Sequence, residues 1–434
     1  MQVRSLPRLR VLCLLLVLHA AGGIPLAAQD KLTLPDVYAQ LRERNPQLVA
    51  AHALVDATAQ REPGARLPAD PSVQLGVMNF SLPGFSANMP TSMAPSVQLM
   101  QMMPIPGKLT LAGAIAGRNT DVARAQANGV WWQLRARAAM SFYELYSVDR
   151  QLLVMNESLQ LLEDFERVAK SMYGAGQGRQ SDVLRANVET ARMKADLARM
   201  RAMRSAAVAR MNGVLNRAAE TRIAEVRLAE IPGSVPGGDT LRAWAEAAQP
   251  MLARGHVLVE QSELLSALAR RELWPDFTVG LAYGQRPATM GTERMGSVML
   301  GFTVPVFAGQ RQLRMRDEAA AMQRMAQAEL QAMRADVHAR IGELLATLER
   351  TATLLTLYRN DIVPQAEANV QSAFSAYRVG SVDFMTLVDG QMTLNRYRQE
   401  VFALIAEHGA AIAELEMNIG RELPSREPLF VGQS

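Results

Sequence analysis

The chain is written twice. Tyr173-Gly174-Ala175-Gly176, running on to Val183 and Leu184, returns as Tyr377-Arg378-Val379-Gly380, running on to Leu387 and Val388, at an offset of 377 − 173 = 204 residues. The same offset carries Pro71, Val73, Leu75, Gly76 and Val77 onto Pro275, Phe277, Val279, Gly280 and Leu281 without a gap. With a three-residue shift, Val97, Leu99, Pro104 and Ile105 fall on Val298, Leu300, Pro305 and Val306. A repeat constrains the fold more than any single motif, because one structural unit must be buildable from both copies. The two units are assigned to residues 29–233 and 234–434, each in the order helix, strand, strand, long helix, tight turn, helix.

Strands are expected at about 71–82, 95–105, 275–284 and 296–306, where apolar and polar or small residues alternate. Val73, Leu75 and Val77 oppose Gln74, Gly76 and Met78, and Val97 and Leu99 oppose Ser96, Gln98, Met100 and Met102. In the second unit Phe277, Val279, Leu281 and Tyr283 oppose Asp276, Thr278, Gly280 and Ala282, and Val298, Leu300, Phe302 and Val304 oppose Ser297, Met299, Gly301 and Thr303. Long helices are expected at about 107–172, 180–216, 309–377 and 382–421. Ala125, Gly129, Trp132, Ala136, Ala139, Tyr143 and Tyr146 step alternately by four and three residues, a heptad-like seam. Val183, Ala186, Thr190, Met193, Leu197 and Met200 form another seam, and Leu330, Met333, Val337, Ile341, Leu344 and Leu348 a third. From Lys108 to Met172 no proline interrupts, so this helix can reach about 90 to 100 Å at ~1.5 Å per residue. An ordinary globular domain does not need that length.

The N-terminus reads as a secretory signal peptide, residues 1–28: Arg4, Arg8 and Arg10 precede the apolar run Val11 to Leu18, and small residues follow to Ala28. Cys13, the only cysteine, lies in that run without the small residues that precede a lipoprotein cysteine, so neither disulfide nor lipid anchor is expected. No later stretch approaches the roughly 20 consecutive apolar residues of a spanning helix, so any membrane crossing must use strands. Four strands cannot close a barrel, and an open edge is not tolerated in hydrocarbon. Three chains would supply twelve strands, an even number within the known range of bacterial barrels. The 46 basic and 42 acidic residues are mixed along the helices, and no nucleic-acid-binding patch is expected.

In order along the chain, Asn45-Pro46, Pro71, Pro104-Ile105-Pro106-Gly107-Lys108, Trp274-Pro275, Val304-Pro305-Val306-Phe307 and Tyr377-x-x-Gly380 resemble the TolC-type outer-membrane efflux proteins over nearly the whole mature chain. The resemblance implies an α+β membrane protein in the bacterial outer membrane: a homotrimer with a 12-stranded β-barrel in outer-membrane lipid and a coiled-coil α-helical barrel crossing the periplasm. It further implies partners, a periplasmic adaptor (membrane fusion) protein and an inner-membrane RND-type pump. The turns at Tyr173, Gly176, Tyr377 and Gly380 are then the helix tips that dock on the adaptor. Asp182 and Asp389 match the family's gate carboxylates, and Thr386 stands where a further acidic residue is usual.

His52, His256, His338 and His408 lack metal-ligand spacing, and no nucleophile elbow or phosphate loop is present. Neither an enzyme nor a cofactor is expected. Met78, Met100, Met102 and Met299 fall on the face assigned to the lumen, while Met89, Met93, Met290 and Met295 are assigned to exterior turns. Thioethers are soft ligands suited to Cu(I) or Ag(I), and the Gln101 to Lys108 stretch resembles the heavy-metal branch of the family. The sequence leaves open a metal or drug efflux duct, a type I protein secretion duct, and a soluble secreted coiled-coil binding protein.

Overall fold

The computed structural model describes residues 31–78, 94–228, 235–288 and 291–424. The expected signal peptide with Cys13, the strand end at 79–82, and Met89, Met93 and Met290 lie outside the described residues.

The first unit opens with β1 (Lys31–Leu32) and three short helices, α1 (Leu34–Arg44), α2 (Pro46–Ala59) and α3 (Arg61–Ala65). Thr33 starts α1 with a capping box, its side chain accepting from the Asp36 amide while Asp36 accepts from the Thr33 amide. Strands β2 (Ser72–Met78) and β3 (Ala94–Met103) precede α4 (Lys108–Gly174) and α5 (Gln180–Val214). The second unit has β4 (Glu225–Val226) before it, then α6 (Gly238–Ala248) and α7 (Pro250–Arg271), then β5 (Phe277–Ala288) and β6 (Gly291–Phe302). It ends with α8 (Gln312–Leu357), a π-helical turn at Tyr358–Ile362, α9 (Val363–Arg378) and α10 (Phe384–Ile419).

The four long strands form one antiparallel sheet in the order β2-β3-β5-β6, so the two hairpins pair through β3 and β5. Register puts Val73, Leu99, Leu281 and Val298 side by side on one face, and Ser72, Met100, Gly280 and Met299 in a row on the other. The β5–β6 ladder runs on through Gln285↔Arg294 and Arg286↔Glu293 to Ala288↔Gly291. This corrects two expectations. β5 extends four residues past Gly284, and Met295 lies within β6 opposite Gly284, not in a turn. The apolar alternation stops at Tyr283, but main-chain pairing does not depend on hydrophobicity and continues through polar residues.

Helix α4 is the central pillar, packed by α2, α5, α7 and α10. Its seam is wider than a heptad stripe, since Leu134, Ala138, Phe142 and Leu145 are buried beside Ala136, Ala139, Tyr143 and Tyr146. Among the described residues, two clusters form the core. The larger surrounds the middle of α4 and includes α1, α6 and the short β1–β4 pair; the second, around Phe165, Met193, Leu197, Phe384 and Leu387, lies towards the helix tips. The helix expected to run unbroken over 309–377 is instead interrupted by the π turn, with Pro364 in the first turn of α9. Proline lacks the amide hydrogen and crowds the carbonyl one turn earlier, and widening the turn relieves that clash.

Where strand gives way to pillar, Lys108 is buried and donates to Asp276 at 2.8 Å and Glu272 at 3.2 Å. Asp276 also accepts from the Ile105 amide, and Arg271 donates to the Pro106 carbonyl at 2.7 Å. Gly107 turns the chain there with φ +94, a conformation that strains residues carrying a Cβ. The foot of both hairpins is thus tied to the start of α4 and the end of α7.

Candidate functional site

The sheet is inside out by the standard of a water-soluble domain. Leu300 is 80% exposed and Leu75, Val298 and Val73 nearly as much, whereas Ala282 and Ser96 on the opposite face are buried. Exposed aromatics bracket the apolar rows, Trp274, Phe277, Phe302 and Phe307 at the foot and Tyr283 at the far end. From Phe277 to Tyr283 the apolar face of β5 is about 20 Å long at ~3.3 Å per residue. A contiguous exposed apolar face bounded by aromatic girdles is what a lipid-facing sheet needs and what a solvated one avoids. No described helix is long and apolar enough to cross a membrane.

On the other face Met100 and Met299 flank Gly280 in one row. A Cβ at that glycine would stand 3.2 Å from Met299 Cε and 3.7 Å from Met100 Cγ. Met102 is half exposed one row nearer the foot, in register with Thr278. Met78 does not join them: its backbone pairs with Ala94 at the other end of the ladder. Among the described residues, no three of His, Cys, Asp and Glu converge as a metal-ligand set.

At the opposite end of the molecule the two tips are closed alike. The Gly176 and Gly380 amides donate to Tyr173 and Tyr377 carbonyls, and the Gln177 and Ser381 amides to the Met172 and Ala376 carbonyls. Both glycines are left-handed, φ +73 and +72, with open space where a Cβ would go. Conformation alone therefore demands glycine. The tyrosines differ: Tyr173 is 48% exposed, Tyr377 only 4%. Tyr377 stacks edge-on against Phe384, and its buried hydroxyl faces Asp182 without closing an ordinary hydrogen bond. Burial first, then the Asp182 carboxylate, push that hydroxyl up to about 12.

Asp182 is thus half-buried between the two hairpins, while Asp389 and Thr386 are exposed on α10. The sequence-matched gate residues are not gathered into one cluster within a single chain. A neighbouring contact escaped the sequence reading: Arg179 and Asp383, equivalent positions at the 204-residue offset, pair across the hairpins at 3.4 Å. Opposite charges at matched repeat positions were the available signal.

No known sequence family matches the chain, and no curated protein sequence matches it. Solved structures do. The outer membrane protein VceC of Vibrio cholerae superposes with a TM-score of 0.76 at 15% identity, covering 90% of this chain and 96% of VceC. CusC, solved in a study of folding and transmembrane channel formation, gives 0.77 at 12%, covering 89% and 92%. The open state of the MtrE outer membrane channel of Neisseria gonorrhoeae gives 0.68 at 15%, covering 89% of each chain. The fold is therefore that of the outer-membrane channels of the TolC type.

Proposed function

We propose that this chain is one of three identical subunits of an outer-membrane efflux channel, a passive exit duct and not an enzyme. The observation that carries the reading is the inverted sheet, with Leu75, Val298 and Leu300 outward and Gly280, Ala282 and Ser96 inward. Three such sheets closing edge to edge would satisfy the outer edges of β2 and β6, which an isolated chain leaves open to lipid. The helices would continue as a tube through the periplasm of a Gram-negative cell. The tips at Tyr173–Gly176 and Tyr377–Gly380 would meet a periplasmic adaptor that connects to an inner-membrane RND-type pump. Neither unit is a separate domain in this reading, since residues 29–233 and 234–434 share one sheet and one helical layer.

For cargo, Met100 and Met299 flanking Gly280 in one register row favour soft monovalent metal ions over drugs. Two thioethers from each of three subunits would line the lumen at one level. At the tip, Asp389 from each subunit would converge with Asp182 near the axis, and rings of carboxylates attract cations. Purified protein should elute from detergent as a trimer and form cation-preferring pores in planar bilayers. The double change Asp182→Asn with Asp389→Asn should reduce that preference more than either single change. A monodisperse monomer without detergent would remove the channel reading, and unchanged selectivity in the double variant would remove the gate assignment alone.

A further inference from the structure

The two hairpin feet are copies of one design, yet they end differently. At the first foot the outward apolar row of β3 is interrupted at Gln101, which donates to the Ala69 carbonyl at 2.7 Å. Ile105 is half-buried there, and the cation, Lys108, is buried and neutralised by Glu272 and Asp276. At the second foot the row of β6 continues beyond its last ladder pair: Val304 and Val306 follow Val298, Leu300 and Phe302 at alternate positions. Val306, Phe307 and Trp274 are 76%, 74% and 66% exposed.

Next to this apolar belt, Arg311, Arg314 and Arg316 crowd the start of α8. The Arg311 amide donates to the Phe307 carbonyl at 3.0 Å, so the first arginine stands one turn from the belt. Cations at a helix N-terminus are opposed by the macrodipole, so local helix stability does not account for them. Arg316 is paired with Asp317 at 2.9 Å. Arg311 and Arg314 are exposed and make no ion pair among the described residues, and neither does Glu318, one turn beyond Arg314. Exposed apolar and aromatic anchors with free cations just beyond them suit the border between acyl chains and headgroups, and guanidinium matches phosphate in charge and geometry.

We propose that the second foot holds an anionic phospholipid of the periplasmic leaflet, with acyl chains against Val304, Val306 and Phe307 and the phosphate against Arg311 and Arg314. This rests on the reading that the sheet faces lipid. It assigns the second foot alone, because the cation of the first is already neutralised inside the protein.

The test uses full-length protein reconstituted in vesicles that carry a small fraction of brominated phosphatidylglycerol or, for comparison, brominated phosphatidylcholine. Bromine quenches tryptophan on contact, and Trp274 is the tryptophan at the foot. Trp131 and Trp132 lie about 35 Å along α4 from Lys108 at ~1.5 Å per residue, Trp244 is on α6, and Trp274→Phe supplies the background. The phosphatidylglycerol should quench Trp274 at roughly a tenth or less of the mole fraction that phosphatidylcholine needs, the order expected for two arginines beside an anionic lipid. High salt should shrink the difference. In the double variant Arg311→Gln with Arg314→Gln, the two lipids should quench alike. Equal quenching in the unchanged protein would overturn the proposal and leave the membrane reading standing. A preference that survives the double change would overturn it likewise, whereas quenching by neither lipid would remove the lipid-facing sheet and the proposal with it. If the double variant fails to assemble, the lipid comparison and its salt dependence in the unchanged protein decide it.

Discussion

The pillar α4 and the arm α8–α9 descend from the same place, each leaving a hairpin foot and ending at a left-handed glycine, yet they are built differently. α4 runs 67 residues without a break and is buried by neighbours on several sides. α8 buries a single stripe, Leu330, Val337, Ile341, Leu344 and Leu348, and exposes Met315, Met322 and Met325 on its other sides. It then widens into the π turn at Tyr358. Two copies of one plan have diverged into a fixed strut and a one-sided, interrupted limb. The difference teaches that the repeat specifies local structure, while the neighbours decide how much of each helix is buried.

The largest expected effect breaks the pillar. Phe142 is wholly buried on α4, and Phe142→Ala should cost about 3–5 kcal/mol through lost transfer energy and the cavity left behind. Met322→Ala, on the exposed side of α8, should change stability by less than about 0.5 kcal/mol in the same denaturant titration. Comparable losses would mean that the arm's open side is covered in the assembled protein.

The next contrast lies within the sheet. Leu300→Arg, on the outward apolar face, should cost about 2–4 kcal/mol near a bilayer midplane and block insertion. Gly301→Arg, one residue on, should insert and alter conductance. Folding into liposomes, followed by heat-modifiability on gels, separates the two; identical behaviour would show that the faces are wrongly assigned to lipid and lumen.

At the tips, Gly176→Ala and Gly380→Ala should each cost about 1–2 kcal/mol, the price of a left-handed conformation with a Cβ. Since neither site has a steric neighbour, equal values are expected, and an inequality would locate a tip contact formed only in the assembly.

The smallest effect concerns Tyr377. Its pKa is raised to about 12, so the folded chain holds the proton more tightly than the unfolded chain, whose tyrosines titrate near 10. The sign follows: the protonated hydroxyl is without penalty below about pH 10, and stability is lost as pH rises from there towards 12. Tyr377→Phe should remove that alkaline loss and, because it also deletes an unpartnered buried hydroxyl, leave neutral-pH stability unchanged or higher by up to about 1 kcal/mol. Hydrogen exchange at the α9–α10 turn, compared at pH 7 and in alkali, reads the difference; Tyr173→Phe, at an exposed position, serves as the control.

What the sequence by itself determined is everything governed by short-range periodicity. Alternation with a period of two assigned Val73, Leu99, Leu281 and Val298 to one face, and the register sets them side by side. Steps of three and four placed Ala186, Met193, Leu197, Ile341 and Leu344 on buried seams, and glycine at the matched tips announced turns that only glycine makes without strain. Pro364 was missed: the helix was read straight through it over 309–377, because the apolar steps of α8 and α9 outweighed a single proline that the π turn accommodates. The tertiary structure alone decided which distant residues meet. Met100 and Met299 flank Gly280 while the Met78 backbone pairs at the far end of the ladder, Asp182 turns towards Tyr377, Arg179 pairs with Asp383, and Gln391 is buried against Ser158. These depend on how hairpins and helices dock across hundreds of residues, through contacts with no sequence period to betray them.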